Sequence, residues 1–144
     1  MKIRGSFEQA ICIVLIISTA AKPVKSHELS RHLEVSDSYL KKIIRQLVVH
    51  GLITSIASKN GGFILHKQPD EITLLDLFDA IEGKEHFAQN TGLVDKIFPT
   101  KKEVKEKEDM IMHHLHAAEV EYRRKLEEIT IQQILNPLTA KVSG

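Results

Sequence analysis

Ser38, Tyr39, Lys41, Lys42 and Arg45 alternate with Leu40, Ile43, Ile44 and Leu47 at helical spacing. If the four apolar residues turn inward, the hydroxyls and cations face outward together. The major groove of B-DNA admits such a helix, and the residues near its N-terminus reach base edges. Ser38, Tyr39, Lys41 and Lys42 are the candidate base readers, Arg45 is a candidate phosphate clamp, and Ser36 stands at the leading cap of the same helix. An ordinary solvated basic face is the competing explanation. Further along, Lys59 and Asn60 precede Gly61 and Gly62. This pair can meet phosphate or enter the minor groove, with the glycines allowing close backbone approach. Lys2, Arg4 and His27 are additional candidates for phosphate contact.

Other reactive residues point to weaker chemistry. Asp109, His113 and His116 share a helix face at spacings of four and three, which invites a metal reading, and His114 adjoins them. Clusters of exposed histidines arise without function, so no metal is assigned. Cys12 is the single cysteine. It excludes an intrachain disulfide and a multi-thiolate site within one chain. Its apolar neighbours favour a small buried hydrophobe over a thiol sensor. The chain has no glycine-rich phosphate loop and no coherent nucleophile–base pair, so an enzyme is not expected.

The basic helix needs a scaffold, and the preceding residues supply one. Ser26 can cap a short helix ending near Leu33, Glu34-Val35-Ser36 makes a brief turn, and the basic helix runs from there to Gly51. Two helices joined by about three residues form a helix-turn-helix. Leu52–Ile56 and Phe63–Leu65 follow as strands around Asn60-Gly61, a dipeptide that tolerates positive φ in a hairpin. A hairpin at this point is a wing. Before all of these, Phe7 to Ser18 forms a helix apolar on every side, ended by Pro23. Its charged start, apolar centre and small residues resemble a signal peptide. Glu8 and the scaffold's need for a first helix argue instead for a cytoplasmic chain, and the run is too short to cross a bilayer. Beyond Pro69, Thr73 and Asp76 open a helix over Leu74–Glu82 that Gly83 closes.

The expected domain order is a winged helix-turn-helix over 1–83, a connecting loop over 84–99, a long helix with a short terminal helix over 100–136, and a tail over 137–144. The fold class is mainly α with a small β-hairpin. Leu93, Val94, Ile97 and Phe98 predict one amphipathic turn inside the loop, and Thr100 with Glu103 predicts a capping box. The long helix reaches about Ile129 and carries Val104, Ile111, Leu115, Ala118, Tyr122, Leu126 and Ile129 on one side. The same helix of a second copy is its expected partner, with Ile111, Leu115, Ala118 and Tyr122 at the interface. Packing back on its own domain is the alternative.

Charge divides along the same line. Residues 1–67 hold 10 Lys/Arg and 4 Asp/Glu, whereas residues 68–144 hold 10 and 15. The basic part suits nucleic acid and the acidic part does not. Aromatic residues are only 5% of the chain, with no Trp, which leaves little for stacking single-stranded bases and favours duplex DNA. A winged-helix module that binds protein instead of DNA is the alternative.

The stretch Ser36-Asp37-Ser38-Tyr39-Leu40 … Gly51-Leu52-Ile53 … Gly61-Gly62-Phe63-Ile64-Leu65 … Pro69-Asp70-Glu71-Ile72-Thr73-Leu74 … Ala80-Ile81-Glu82-Gly83 resembles the Rrf2 family of bacterial winged-helix repressors. The resemblance implies a homodimer that binds an inverted-repeat operator through helix and wing. Two departures stand out. Many members hold an iron–sulfur cluster on three cysteines before the dimerisation helix, but residues 84–101 contain none. No cofactor is therefore expected. A small-molecule effector between the DNA-binding unit and the long helix is the preferred substitute, ahead of Cys12 oxidation. The family's wing also carries an Arg-Gly pair where Ala57 and Ser58 stand, so Lys59 is the remaining cation there.

Overall fold

The computed structural model describes residues 5–98 and 102–136. Its helices are α1 (Gly5–Thr19), α2 (Ser26–Leu33), α3 (Asp37–Val49), α4 (Leu74–Glu82), α5 (Leu93–Ile97) and α6 (Lys102–Glu127), with a terminal helix α7 at residues 131–136. The hairpin β1 (Ile53–Ile56) and β2 (Gly62–Leu65) lies between α3 and α4. The described chain forms two compact units, one built of residues 5–83 together with 126–136, the other of residues 84–98 and 102–125.

In the first unit, α1 packs against α4, α2 and α3, and α3 packs against α4. Phe7, Ala10, Ile13, Val14 and Ile17 of α1 meet Leu77 and Phe78 of α4 in the core, with Phe7 and Phe78 edge to face at 5.7 Å between centroids. The opposite side of α1, including Ile11, Cys12, Leu15 and Ile16, is only half-buried in one chain. Local chemistry fixes the ends of α4. Thr73 N–H donates to Asp76 Oδ2 at 2.9 Å, Asp76 N–H donates back to Thr73 Oγ1 at 3.2 Å, and Gly83 at φ 82° ends the helix.

Two expectations are corrected here. The N-cap of α2 is Lys25, not Ser26: Val24 is held by an isolated bridge to Phe63 and the chain enters the helix one residue early. The long helix stops at Glu127, short of Ile129. Beyond it the backbone turns to pair with the segment before α4. Leu74 N–H donates to Ile129 O at 3.0 Å, and Ile131 N–H donates to Ile72 O at 2.8 Å. Ile131 and Leu135 of α7 are then buried with the first unit. These bonds satisfy backbone that a straight helix would have satisfied internally.

In the second unit, the segment after Gly83 lies on one face of α6. His86 Nδ1 sits 2.9 Å from Glu119 Oε2, His116 Nε2 lies 3.3 Å from Ala88 O, and Asn90 donates to Glu108. Phe87 meets Tyr122 edge to face at 5.5 Å. The amphipathic turn expected at Leu93–Phe98 is α5. The expected cap Thr100 and the tail over 137–144 lie outside the described residues.

Candidate nucleic-acid interface

The turn between α2 and α3 is closed by backbone. Glu34 adopts φ 55°, and Val35 N–H reaches back to Ser30 O at 3.2 Å. Glutamate at positive φ is sterically unfavourable, so the tight geometry of the motif holds it there. Ser36 then caps α3, its hydroxyl accepting from Tyr39 N–H at 3.3 Å and lying 3.4 Å from Ser38 Oγ. At the far end Leu52 N–H donates to Leu47 O at 3.0 Å, and Gly51 at φ 72° turns the chain into β1.

Leu40, Ile43, Ile44 and Leu47 are buried, while Ser38, Tyr39, Lys41, Lys42 and Arg45 are exposed. Opposite the buried row, Ser38, Lys42 and Arg45 point most directly away from the core, with Lys41 on one flank and Tyr39 on the other. Tyr39 and Lys42 border a hollow with Ser6, Gln46 and Ile81, and Gln46 Nε2 donates weakly to Ile81 O at 3.5 Å. Among the described residues, Lys41, Lys42 and Arg45 form no ion pair with an acid. Three cations on one helix, none paired with an acid among the described residues, leave a positive face to solvent. His27 is exposed on α2, and Lys2 and Arg4 lie outside the described residues.

The wing pairs Ile53 with Leu65 and Ile56 with Gly62, antiparallel, leaving 57–61 as the loop. Gly61 N–H donates to Ser58 O at 2.9 Å, so Lys59 and Asn60 occupy the tip of a β-turn and are exposed. The hairpin is as expected, but the reason for its glycines differs. Neither Asn60 nor Gly61 has positive φ, which falls at Gly62 (φ 151°). Gly61 is buried, and a Cβ there would lie 1.9 Å from Ile56 O. At Gly62 a Cβ would lie 2.7 Å from Val24 O, because Val24 and Phe63 bond to each other in an isolated antiparallel bridge at 3.0 and 2.8 Å. The close approach these glycines permit is to the protein's own backbone.

The same bridge brings Lys25 to the wing. Its ammonium donates to Lys59 O at 3.2 Å, which places a second lysine beside the tip. Sequence reasoning missed Lys25 because nothing near it in the chain marks the pairing of Val24 with Phe63.

The fold is a winged helix-turn-helix, and residues 3–137 match the model of the Rrf2 family, described as iron-dependent transcriptional regulators. The chain belongs to the Rrf2 family. It is 36% identical over 136 residues to YffB of Lactococcus lactis, a proposed helix-turn-helix regulator, covering 93% of this chain and 86% of YffB. It is 39% identical over 100 residues to YwgB of Bacillus subtilis, covering 68% of this chain and 64% of YwgB. Among solved structures it is similar to CymR, the global cysteine regulator of B. subtilis, with a TM-score of 0.65 at 19% identity over 93% of this chain and 95% of that one. A Lactobacillus plantarum regulator structure gives a TM-score of 0.71 at 19% identity, over 93% and 89%. This Rrf2 member is a DNA-binding transcriptional regulator, and the family's members are not enzymes.

The family description raises iron, and the donor set here does not fit a cysteine-held cluster. The only thiol is Cys12, half-buried on α1. Among the described residues no three His, Cys, Asp or Glu side chains converge to hold a metal. The histidines of α6 diverge. His114 Nδ1 turns to Met110 O at 2.9 Å, His116 stacks on His86 at 4.4 Å between centroids, and Asp109 lies 3.8 Å from Lys105.

Of the expected interface residues on α6, Ile111 is 55% exposed and Leu115 45%, and Ala118 is also exposed. Tyr122 is half-buried against Phe87. The buried face of α6 is instead polar, with Glu108 and Glu119 covered by residues 84–98. Nearby, the Arg124 guanidinium holds the exposed Glu121 carboxyl below its ordinary pKa, by hydrogen bond first and by charge second. No described helix is long and apolar enough to cross a membrane.

Proposed function

We propose that this Rrf2 member is a cytoplasmic homodimeric repressor that grips an inverted-repeat operator with α3 in the major groove and the wing beside it. The observation that carries the reading is the outward row on α3, whose cations have no acidic partner in the described chain. Ser38, Tyr39, Lys41 and Lys42 read base edges, and Ser36 and Arg45 meet phosphates at the groove's rim. Lys59 and Asn60 at the wing tip, supported by Lys25, contact the flanking backbone or minor groove, and Gly61 and Gly62 shape the tip that presents them.

Assembly rests on α6. Ile111, Leu115 and Ala118 form an apolar stripe that a single chain leaves in water, and Tyr122 continues it. Burying that stripe against a second copy removes the exposed apolar area and sets two reading helices at a fixed separation. The domain roles follow: residues 1–83 bind DNA, and residues 84–136 supply the link, the dimer helix and its return to the first unit.

The test is to sequence the genomic duplex fragments that the purified chain retains at low salt, then to transcribe a promoter carrying the enriched site. Expected are inverted repeats with half-sites about one helical turn apart, and reduced transcript. Retention of no fragment, or of single half-sites only, refutes the dimeric reading; increased transcript refutes repression.

A further inference from the structure

Within the DNA-binding unit a recess of about 200 Å³ lies between the first turn of α1, one flank of α3 and the end of α4, lined by Ser6, Tyr39, Lys42, Ile43, Gln46 and Ile81. Ile43 and Ile81 belong to the core, at 1% and 5% exposed, and give the recess its apolar wall. The other four bring polar ends. Among the described residues the Ser6 hydroxyl, the Tyr39 phenol and the Lys42 ammonium have neither a hydrogen-bond nor an ionic partner. The Gln46 amide has only the long bond to Ile81 O at 3.5 Å. Tyr39 is 41% exposed and Lys42 is exposed, so a guest entering from solvent meets both.

The walls select the guest. An ammonium only donates, hydroxyls and an amide can donate, and none of the described residues lining the recess is acidic. Four donors, one of them charged, suit a negative group that only accepts. The two isoleucines suit hydrocarbon attached to it. Pockets for drug-sized ligands begin at roughly 300 Å³, so the guest here is shorter. We propose that this recess binds a short-chain carboxylate, which accepts from Lys42, Tyr39 and Ser6 while its few carbons lie against Ile43 and Ile81. Inorganic phosphate would satisfy the donors but leave the isoleucines uncovered, and an amine would meet Lys42 with like charge. The consequence for regulation rests on the operator reading. Tyr39 and Lys42 are base readers there, and a carboxylate that holds Lys42 in the recess takes it from the groove. Ligand and operator then exclude each other at each half-site.

Binding is therefore measured first without DNA, so that the site and the operator reading can fail separately. The full chain is titrated at constant ionic strength with butyrate, butan-1-ol, inorganic phosphate and butylamine, by calorimetry and by methyl NMR. Butyrate is expected to bind and to shift the Ile43 and Ile81 methyls, with the other three at least about tenfold weaker. Lys42→Ala should weaken butyrate by at least about tenfold, the loss of one charge-assisted hydrogen bond. Ser6→Leu, which fills the recess and leaves Lys42 in place, should abolish binding. Lys67→Ala, at an exposed lysine that does not line the recess, should leave it unchanged. The site is refuted if butyrate fails to bind at about 10 mM, if phosphate or butylamine binds as well, or if Lys42→Ala binds butyrate as tightly. With operator added, butyrate at about ten times its own dissociation constant should weaken DNA binding roughly tenfold for each occupied protomer, chloride being exchanged to hold the ionic strength. Butyrate that binds but leaves operator affinity unchanged would overturn the competition and keep the site.

Discussion

Replacing Arg45 by alanine should change how DNA affinity depends on salt, by an amount the interface sets. Each protomer exposes three cations assigned to phosphate, Lys25, Arg45 and Lys59, so a dimer offers six. If all meet phosphate, the slope of log affinity against log salt is about −5.4, at roughly −0.9 per phosphate. A rise from about 50 to 200 mM salt would then cost about 10³ in affinity. Arg45→Ala removes two contacts per dimer and brings the slope to about −3.6, so its handicap narrows roughly tenfold over the same range. Fluorescence anisotropy on the operator and on a scrambled duplex measures both, and the variant should lose on the two alike, because phosphate carries no sequence information. Lys102→Ala, at the exposed start of α6, is the control and should leave the slope unchanged. A wild-type slope in Arg45→Ala, or an equal change in Lys102→Ala, would refute the assignment of Arg45 to phosphate.

Lys42→Ala should behave differently, costing about 1–3 kcal/mol on the operator and relaxing preference at one or two base pairs, as read by binding to a library of single-base operator variants. Identical profiles for the Lys42 and Arg45 variants would remove that division of roles. Leu115→Asp should give a monomer by light scattering with an unchanged far-UV spectrum, since Leu115 is 45% exposed in one chain and an acid there troubles only the assembly. An intact dimer would put the interface elsewhere. Gly61→Ala cannot keep the wing turn, because its Cβ would meet Ile56 O at 1.9 Å. Losing that turn and its hydrogen bond should cost about 1–3 kcal/mol in urea unfolding and weaken operator binding; an unaffected wing would show that the turn can relax at little cost.

Much of the DNA-binding unit was legible in the sequence because its signals are local. The capping box of Thr73 and Asp76, the cap at Ser36, the stop at Gly51 and the apolar row Leu40, Ile43, Ile44 and Leu47 all act within about one helical turn. The hairpin was legible too, although the demands on its glycines came from packing and not from the Asn-Gly turn itself. The exposure of the α3 cations follows from the burial of their neighbours, so the candidate reading face is legible in the helical spacing itself.

The rest was decided by contacts between residues far apart in the chain. Val24 bonds to Phe63, which moves the start of α2 to Lys25 and sets that lysine beside Lys59. Ile129 and Ile131 bond to the backbone of Leu74 and Ile72, which ends α6 earlier than its apolar stripe suggests and returns α7 to the first unit. On α6 itself the sequence marks Ile111 and Leu115 for burial, yet one chain buries Glu108 and Glu119 instead, because His86 and Asn90 come from the preceding segment to meet them. Periodicity shows which side of a helix dislikes water, but a carboxylate becomes buriable only when a distant donor arrives, and such a donor leaves no periodic trace.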